Sequence, residues 1–117
     1  MVQERNLRNR RAIILISSSV IYRHTMTKYL AFITVIGKDQ KGIIASISNS
    51  VFRHNINIED LNQKVMEGYF VMTMLVDMSD SDATISELKK ELAVIGEKMG
   101  LSIQVQHENI FKAMHRV

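Results

Sequence analysis

The sequence of 117 residues contains no cysteine and no proline. The absence of cysteine excludes disulfides, thiolate metal ligands and cysteine nucleophiles, and with them a structural zinc site of the usual kind. A chain without thiols suits a reducing compartment, so we expect a cytoplasmic protein. The length is sufficient for one domain with a substantial core and too short for two ordinary ones, which predicts a single domain.

Most of the chain has no excess of positive charge. The formal net charge is +3, but residues 1–25 contain five arginines and one glutamate, a net +4. The remaining residues, 26–117, therefore carry −1. A nearly neutral domain lacks the electrostatic footprint that attracts a phosphate backbone, so no nucleic-acid partner is expected.

No uninterrupted apolar run of the length of a membrane span is present. Basic residues at 8–11 are followed by apolar residues at 12–16, an order that imitates a secretory signal. Three serines at 17–19 interrupt the apolar run and no small-residue cleavage site follows, so neither a signal peptide nor a membrane partner is predicted. We expect residues 1–25 to form a basic leader, disordered or accessory, and residues 26–117 to form the domain.

Grouped catalytic residues are also lacking. His54, His107 and His115 are scattered, without a pair at metal-binding spacing and without a nucleophile beside a base. We therefore expect no enzymatic activity, no metal site and no cofactor. His107, Glu108 and His115 form the one group that merits a test for incidental metal binding.

What the sequence does contain is a regular succession of apolar patterns. Alternation predicts strands at 29–36, 57–66, 69–77 and 101–106, and helical spacing predicts helices at 42–54, 82–99 and 109–115. Asn55 and Gly100 are predicted to end the first two helices. Ser81 or Asp82 is predicted to cap the start of the second helix.

The second predicted strand is the most polar one. Its apolar residues are spaced by two and then by three, which predicts a β-bulge near Glu59 and Asp60 and a place at the edge of the sheet. Glu67 and Gly68 predict a two-residue hairpin turn. The whole pattern predicts an α+β, ferredoxin-like βαββαβ fold. Right-handed crossovers give a four-stranded antiparallel sheet of order 4-1-3-2, with two helices on one face and a short C-terminal helix in addition.

Strands one and three are apolar on both faces. The second face of such a sheet normally meets water, so this pattern predicts a cover. A second copy of the chain would supply it, either face to face or edge to edge through strand two, and we expect a homodimer or a higher homo-oligomer. The alternative is that the last helix or the leader folds back as a partial lid.

The junction between the first strand and the first helix is the candidate binding site. The strand is expected to end at Gly37, a polar turn follows, and Gly42 opens the helix. Such a turn aims the free N–H groups of the first helical turn at a ligand above the strand end. The helix dipole favours a negative group there.

Several of these residues resemble the ACT domain. The matching segments are Asp39-Gln40-Lys41-Gly42-Ile43-Ile44-Ala45 and Asn57-Ile58-Glu59-Asp60, followed by Gln63 and Tyr69-Phe70. The resemblance covers about residues 26–117 and is strongest to small stand-alone ACT-domain proteins. It implies regulatory binding of an amino acid or another small ligand where two copies meet. Lys41 stands where many relatives have proline, which leaves the ligand's identity open.

An amino acid would also suit these residues chemically. Its carboxylate fits the N–H groups at the helix start, assisted by a lysine, and its ammonium fits Asp39 or the side-chain oxygen of Asn57. Turn formation alone is the other explanation for the glycines, Asp39 and Asn57. The predicted ligand-binding set is Gly37, Lys38, Asp39, Lys41, Gly42, Ile43, Ile44, Asn57 and Ile58.

Two other functions share parts of the pattern. An RNA-binding module has the same order of elements, and Gly68-Tyr69-Phe70-Val71 is faintly similar to its aromatic signature, but Glu67 and the charge of −1 disfavour it. A dimerising protein-interaction module without a small ligand fits the composition as well as a sensor does.

Overall fold

The structure, a computed structural model, describes residues 28–114. It contains the strands β1 Leu30–Lys38, β2 Asn57–Met66, β3 Tyr69–Asp77 and β4 Leu101–His107, and the helices α1 Ile43–Arg53, α2 Ile85–Met99 and α3 Glu108–Met114. The predicted leader and His115 lie outside the described residues. Within residues 28–114, every helix is too short or too polar to cross a membrane.

The strands form one antiparallel sheet in the order β2-β3-β1-β4, which is the predicted order 4-1-3-2 read from the other edge. The ferredoxin-like βαββαβ prediction is therefore confirmed. β1 is central, because it pairs with β3 from Leu30 to Lys38 and with β4 from Ala31 to Gly37. On the inner face of the sheet, α2 packs on β4 and α1 lies between α2 and β2.

The core lies between the inner face and these two helices. Every second side chain of the central strands points into it and is buried, as the alternation in the sequence predicts. The buried set includes Ala31, Ile33 and Val35 of β1, Phe70, Met72, Met74 and Val76 of β3, Ile43, Ile47 and Val51 of α1, and Leu88 and Leu92 of α2. Full burial of a large apolar side chain stabilises a fold by roughly 1.5–3 kcal/mol, so this layer holds the domain together.

β1 extends two residues beyond its predicted end. Gly37 and Lys38 belong to the strand rather than to the turn, which is reduced to residues 39–42. Gly37 continues the strand because β4 begins directly against it: a Cβ atom there would lie 2.6 Å from Leu101 Cδ2 and 3.0 Å from the Gly100 carbonyl oxygen. Gly37 was predicted to end the strand. Instead, it permits β4 to pack closely against β1.

β2 has the predicted bounds and lies at the edge of the sheet. Its register with β3 shifts between Ile58 and Asp60, which makes Glu59 the extra residue of a β-bulge. Glu67 and Gly68 have φ angles of 51° and 83°, as a two-residue type I′ hairpin turn requires. The predictions for this strand and its turn are confirmed.

Both long helices end at residues with left-handed backbone, as predicted. Asn55 follows α1 with φ 59°, and its side-chain amide donates to the Asp80 carbonyl oxygen at 3.1 Å. Gly100 ends α2 with φ 69°, and its N–H donates to the Gly96 carbonyl oxygen. Asparagine and glycine tolerate this conformation, which reverses the chain after the last helical turn.

The predicted cap of α2 is wrong. Thr84, rather than Ser81 or Asp82, is the N-cap residue, and it forms a capping box with Glu87. The Glu87 N–H donates to Thr84 Oγ1 at 3.1 Å, and the Thr84 N–H donates to Glu87 Oε1 at 2.9 Å. The Ser81 hydroxyl is used within the preceding loop, where it accepts from and donates to Ala83. The helix therefore begins at Ile85, which is later than a cap at Ser81 or Asp82 predicted.

The outer face of the sheet is partly covered by α3. Phe111 stacks on Phe32 of β1, with ring centroids 4.1 Å apart and an angle of 22° between the rings. The Gln106 side-chain amide contacts Met114 Sδ at 3.0 Å. α3 lies over β1 and β4, so the last helix forms the partial lid that was the alternative to a second copy. The half of the outer face formed by β2 and β3 is not covered by it.

His54 links the two helices on the inner face. Its Nδ1 lies 2.8 Å from Asp82 Oδ1, and its Nε2 lies 2.7 Å from Glu91 Oε1. The other oxygen of Glu91 accepts hydrogen bonds from the buried Ser50 hydroxyl and from Arg53. The hydrogen bonds to Glu91 and then to Asp82 raise the pKa of His54 above 6.5, and the hydrogen bonds from Ser50 and then from His54 lower the pKa of Glu91 below 4.5.

We predict that His54→Gln destabilises the domain more at pH 6 than at pH 9. Because the folded-state pKa of His54 is raised above 6.5, its contribution is fully present below that value and is lost as the pH rises through the raised pKa. Loss of hydrogen bonds to charged groups should cost about 1.5–3 kcal/mol at pH 6. Urea unfolding of both proteins at the two pH values measures the difference, and an equal effect at both would contradict the protonated link.

Candidate functional site

The β1–α1 turn, residues 39–42, is exposed but fixed at two points. The Asp39 N–H donates to the Gly68 carbonyl oxygen at 2.9 Å, which ties the turn to the β2–β3 hairpin. The Gln40 side-chain amide donates to the Met99 carbonyl oxygen at 2.8 Å, which ties it to the end of α2. Sequence reasoning did not select Gln40, because no local pattern shows that α2 ends beside this turn.

The N-terminus of α1 has no side-chain cap. Gly42 occupies the cap position with φ 90° and ψ 2°, and its carbonyl oxygen accepts from the Ser46 N–H at 2.9 Å. The N–H groups of residues 43–45 therefore have no partner within the helix, and the first turn contains no acidic residue. The N-terminus of α2 is capped by Thr84 and Glu87. Of these two helices, only α1 therefore offers the N–H groups and the positive dipole end of its first turn to an anion.

The predicted turn residues contribute in two ways. Ile43 is buried and Ile44 packs against the core, so only their N–H groups can face a ligand. Lys38, Asp39 and Lys41 are exposed. The end of β1 and the turn thus carry two cationic side chains and one anionic side chain, which suits a ligand carrying both charges.

Asn57 and Ile58 lie at the opposite end of the sheet. Asn57 pairs with Asp77 of β3, which pairs with Leu30 at the start of β1. The turn follows Lys38 at the other end of β1, eight residues further on, which is about 26 Å at 3.3 Å per residue. Within one chain, the structure does not bring the two parts of the predicted site together.

Asn57 is part of a small polar network at its own end of the sheet. Its side-chain amide donates to Glu59 Oε2 at 3.0 Å, and Lys28 Nζ lies 3.2 Å from Glu59 Oε1. These three exposed groups hold the start of the edge strand.

The rival functions find little support in the geometry. Phe70 points into the core and is only 4% exposed, so it cannot stack on a base from the outer face. Residues 28–114 contain no group of three or more histidine, aspartate or glutamate side chains arranged to hold a metal ion. His107 Nδ1 instead accepts the Asn109 N–H at 3.0 Å.

The architecture is that of a ferredoxin-like α+β domain with an open helix N-terminus after its first strand. Comparison with known sequences identifies the family: the sequence pattern of the ACT domain matches residues 30–106, from β1 to the end of β4. The chain belongs to the ACT domain family. The resemblance inferred from the turn and the second strand is therefore confirmed, and α3 lies outside the matched segment.

The relatives include small proteins of the group UPF0237, almost the whole length of which the chain matches. The chain is 48% identical to the UPF0237 protein of Methanopyrus kandleri over 87 residues, covering 74% of this chain and 97% of the relative. It is 47% identical over 87 residues to a UPF0237 protein of Listeria monocytogenes, covering 74% and 98%. Among solved structures, the ACT domain protein from Streptococcus pneumoniae is similar, with a TM-score of 0.63, 36% identity and coverage of 74% and 98%. The family indicates a regulatory domain rather than a catalytic one.

We predict that alanine at Gly37 and alanine at Gly42 both destabilise the domain, for different reasons. At Gly37 the new Cβ would crowd Gly100 and Leu101, and overpacking of this kind costs about 1–3 kcal/mol. At Gly42 nothing lies within 4 Å, and the cost arises from φ 90°, about 1–2 kcal/mol.

A second substitution at Gly42 separates the two causes. Gly42→Asn should recover part of the stability lost in Gly42→Ala, since asparagine tolerates left-handed backbone, whereas Gly37→Asn should be worse than Gly37→Ala. Urea unfolding measures all four variants. The opposite ranking at either position would contradict the assigned role of that glycine.

Proposed function

We propose that this ACT domain is a regulatory module that binds an amino acid at the β1–α1 turn and acts as a homodimer. The observation that carries the proposal is the uncapped start of α1 at Gly42, in a domain whose other long helix has a complete capping box. Free N–H groups at a helix start bind carboxylates, and the turn that presents them is fixed by Asp39 and Gln40.

The charges around the turn fit both groups of an α-amino acid. The ligand carboxylate would accept from the N–H groups of Ile43 and Ile44, with Lys38 or Lys41 beside it, and the ligand ammonium would bind Asp39. Hydrogen bonds to charged groups contribute roughly 1.5–3 kcal/mol each, so three or four of them give micromolar to millimolar affinity. That range suits a sensor of metabolite concentration.

A second copy would complete this site. If two β2 strands pair antiparallel about a two-fold axis at Asn62, the start of each strand lies beside the end of the other. The partner's Asn57 then lies beside the hairpin to which Asp39 is bonded, so the two parts of the predicted site meet across the interface rather than within one chain.

The β2 edge has the properties that this pairing needs. Within residues 28–114 no strand lies beside its outer side, and the same register places Lys64 opposite the partner's Asp60. Large apolar side chains flank the edge: Val65 and Met66 on the strand are more than half exposed, and Phe52 on α1 is 78% exposed. Phe52 lies about 200° around the helix from Ser50, which faces α2, so it points away from α2.

The alternative function is a dimerising protein-interaction module without a small ligand. The exposed β2 edge and its apolar flanks favour it as strongly as they favour a sensor. The two functions share the interface and differ only at the turn, so ligand binding is the property that distinguishes them.

We predict that at least one of the twenty amino acids at millimolar concentration raises the melting temperature of the full chain. A ligand that binds only the folded state stabilises it, by about 2.7 kcal/mol at one hundred times Kd. Asp39→Ala and Asn57→Ala should abolish the shift, whereas Asp80→Ala, an exposed aspartate in the loop after β3, should retain it. Circular dichroism measures the melting temperature. If no amino acid shifts it, the interaction module remains as the function.

We predict that Asn62→Cys forms a disulfide between two chains on mild oxidation. Opposite residues of an antiparallel pair have Cα atoms about 4.5–5.5 Å apart, within the range that a disulfide spans. The native chain has no cysteine, so the product is unambiguous. Gln104→Cys is the matched control, because it is also exposed and lies on the outer face of the other edge strand, β4. Equal cross-linking of both variants would argue against pairing through β2.

A further inference from the structure

The outer face of the sheet contains a groove of about 610 Å³ beside α3. Its floor is formed by half-buried residues of the central strands, and its rim by exposed, mostly polar residues of the edge strand. The lining residues are Phe32, Val71, Thr73 and Leu75 on the floor and Asp60, Asn62, Gln63, Lys64 and Met66 on β2. The groove therefore runs along the half of the face that α3 leaves open.

The width of the groove matches one helix. Four strands about 4.8 Å apart give a face on which two helices, each about 10 Å in diameter, lie side by side. The inner face carries two, α1 and α2, whereas the outer face carries only α3, over β1 and β4. One further helix fits over β2 and β3.

α3 itself has an apolar side that the sheet beneath it does not bury. Ile110, Phe111 and Met114 follow helical spacing and form one stripe, in which Phe111 stacks on Phe32 and Met114 Sδ contacts Gln106. Ile110 is 56% exposed and Met114 is 61% exposed. Glu108 and Lys112 pair with each other at 3.0 Å, so α3 would bring no net charge into an apolar groove.

We propose that the outer faces of two copies pack together, with α3 of each copy lying in the groove of the other. A two-fold axis parallel to the strands places the β2 edge of one sheet opposite the β4 edge of the other. The partner's α3, which lies over its own β1 and β4, then lies over β2 and β3 of the first copy. Any other helix would need its own apolar stripe and neutral charge, and α3 has both. The same packing covers Ile36, Met66 and Tyr69, which are about half exposed at the end of this face.

This interface is separate from the proposed ligand site and from pairing through β2. The β2 edge uses the backbone groups at the rim of the sheet, whereas the outer face uses side chains perpendicular to it. Two copies joined through β2 can each still present an outer face to a further copy. The outer-face contact can therefore fail without affecting amino-acid binding, and the reverse also holds.

The first experiment weakens the contact without altering the core. The double variant Ile110→Lys, Met114→Lys adds charge to the exposed side of α3, and Val94→Lys, at a residue of α2 that is 52% exposed, is the matched control. In sedimentation velocity, we expect the double variant to lose one step of association or to weaken it at least tenfold, while the control associates like the native chain. Identical association of all three, or a native chain that remains monomeric at millimolar concentration, would overturn the proposal.

The second experiment locates the contact. Chains with the single substitution Leu75→Cys, in the groove floor at the level of Phe32, are mixed with chains carrying Ile110→Cys and treated with a short bis-maleimide reagent. We expect a heterodimer, and much less product when Val94→Cys replaces Leu75→Cys. Cross-linking of Asn62→Cys without this heterodimer would show association through β2 alone and overturn the proposal. Slow labelling of the Leu75→Cys thiol in a monomeric chain would show that the chain fills its own groove, which also overturns it.

Discussion

The structure depends on the pairing of β1 with two neighbours at once. β1 is bonded to β3 along its full length and to β4 along most of it, and its inward side chains Ile33 and Val35 are fully buried. The close approach of β4 is possible because residue 37 is glycine. β1 is fixed on both sides, and the turn begins directly after its last residue, Lys38. The position of the turn is therefore set by the sheet.

This constraint determines where the two parts of the candidate site lie. Because β1 and β2 run from the same end of the sheet to the other, the turn that ends β1 and the residues that begin β2 are separated by the length of a strand. Asp39 and Asn57 are therefore distant in one chain. A site that uses both needs two copies, and the exposed edge of β2 is the surface at which the proposed two-fold axis would bring them together.

Much of the fold was predictable from local patterns. The bulge at Glu59, the hairpin turn at Glu67 and Gly68, and the helix end at Gly100 each depend on a few neighbouring residues, and each was predicted correctly. The cap of α2 was not, because several residues before the helix can cap it and the choice of Thr84 depends on how the loop is held. For the candidate site, the sequence indicated the turn but gave no sign that Gln40 anchors it to α2.

The sequence by itself determined the order of the strands and helices, the edge position of β2 and the glycine-opened start of α1, since periodicity and turn chemistry act over a few residues. Only the tertiary structure decided that Gly37 serves strand packing, that Asn57 lies far from the turn, and that α3 packs on the outer face over β1 and β4. Those features depend on the register between strands and on contacts between residues far apart in the chain, which local spacing does not contain.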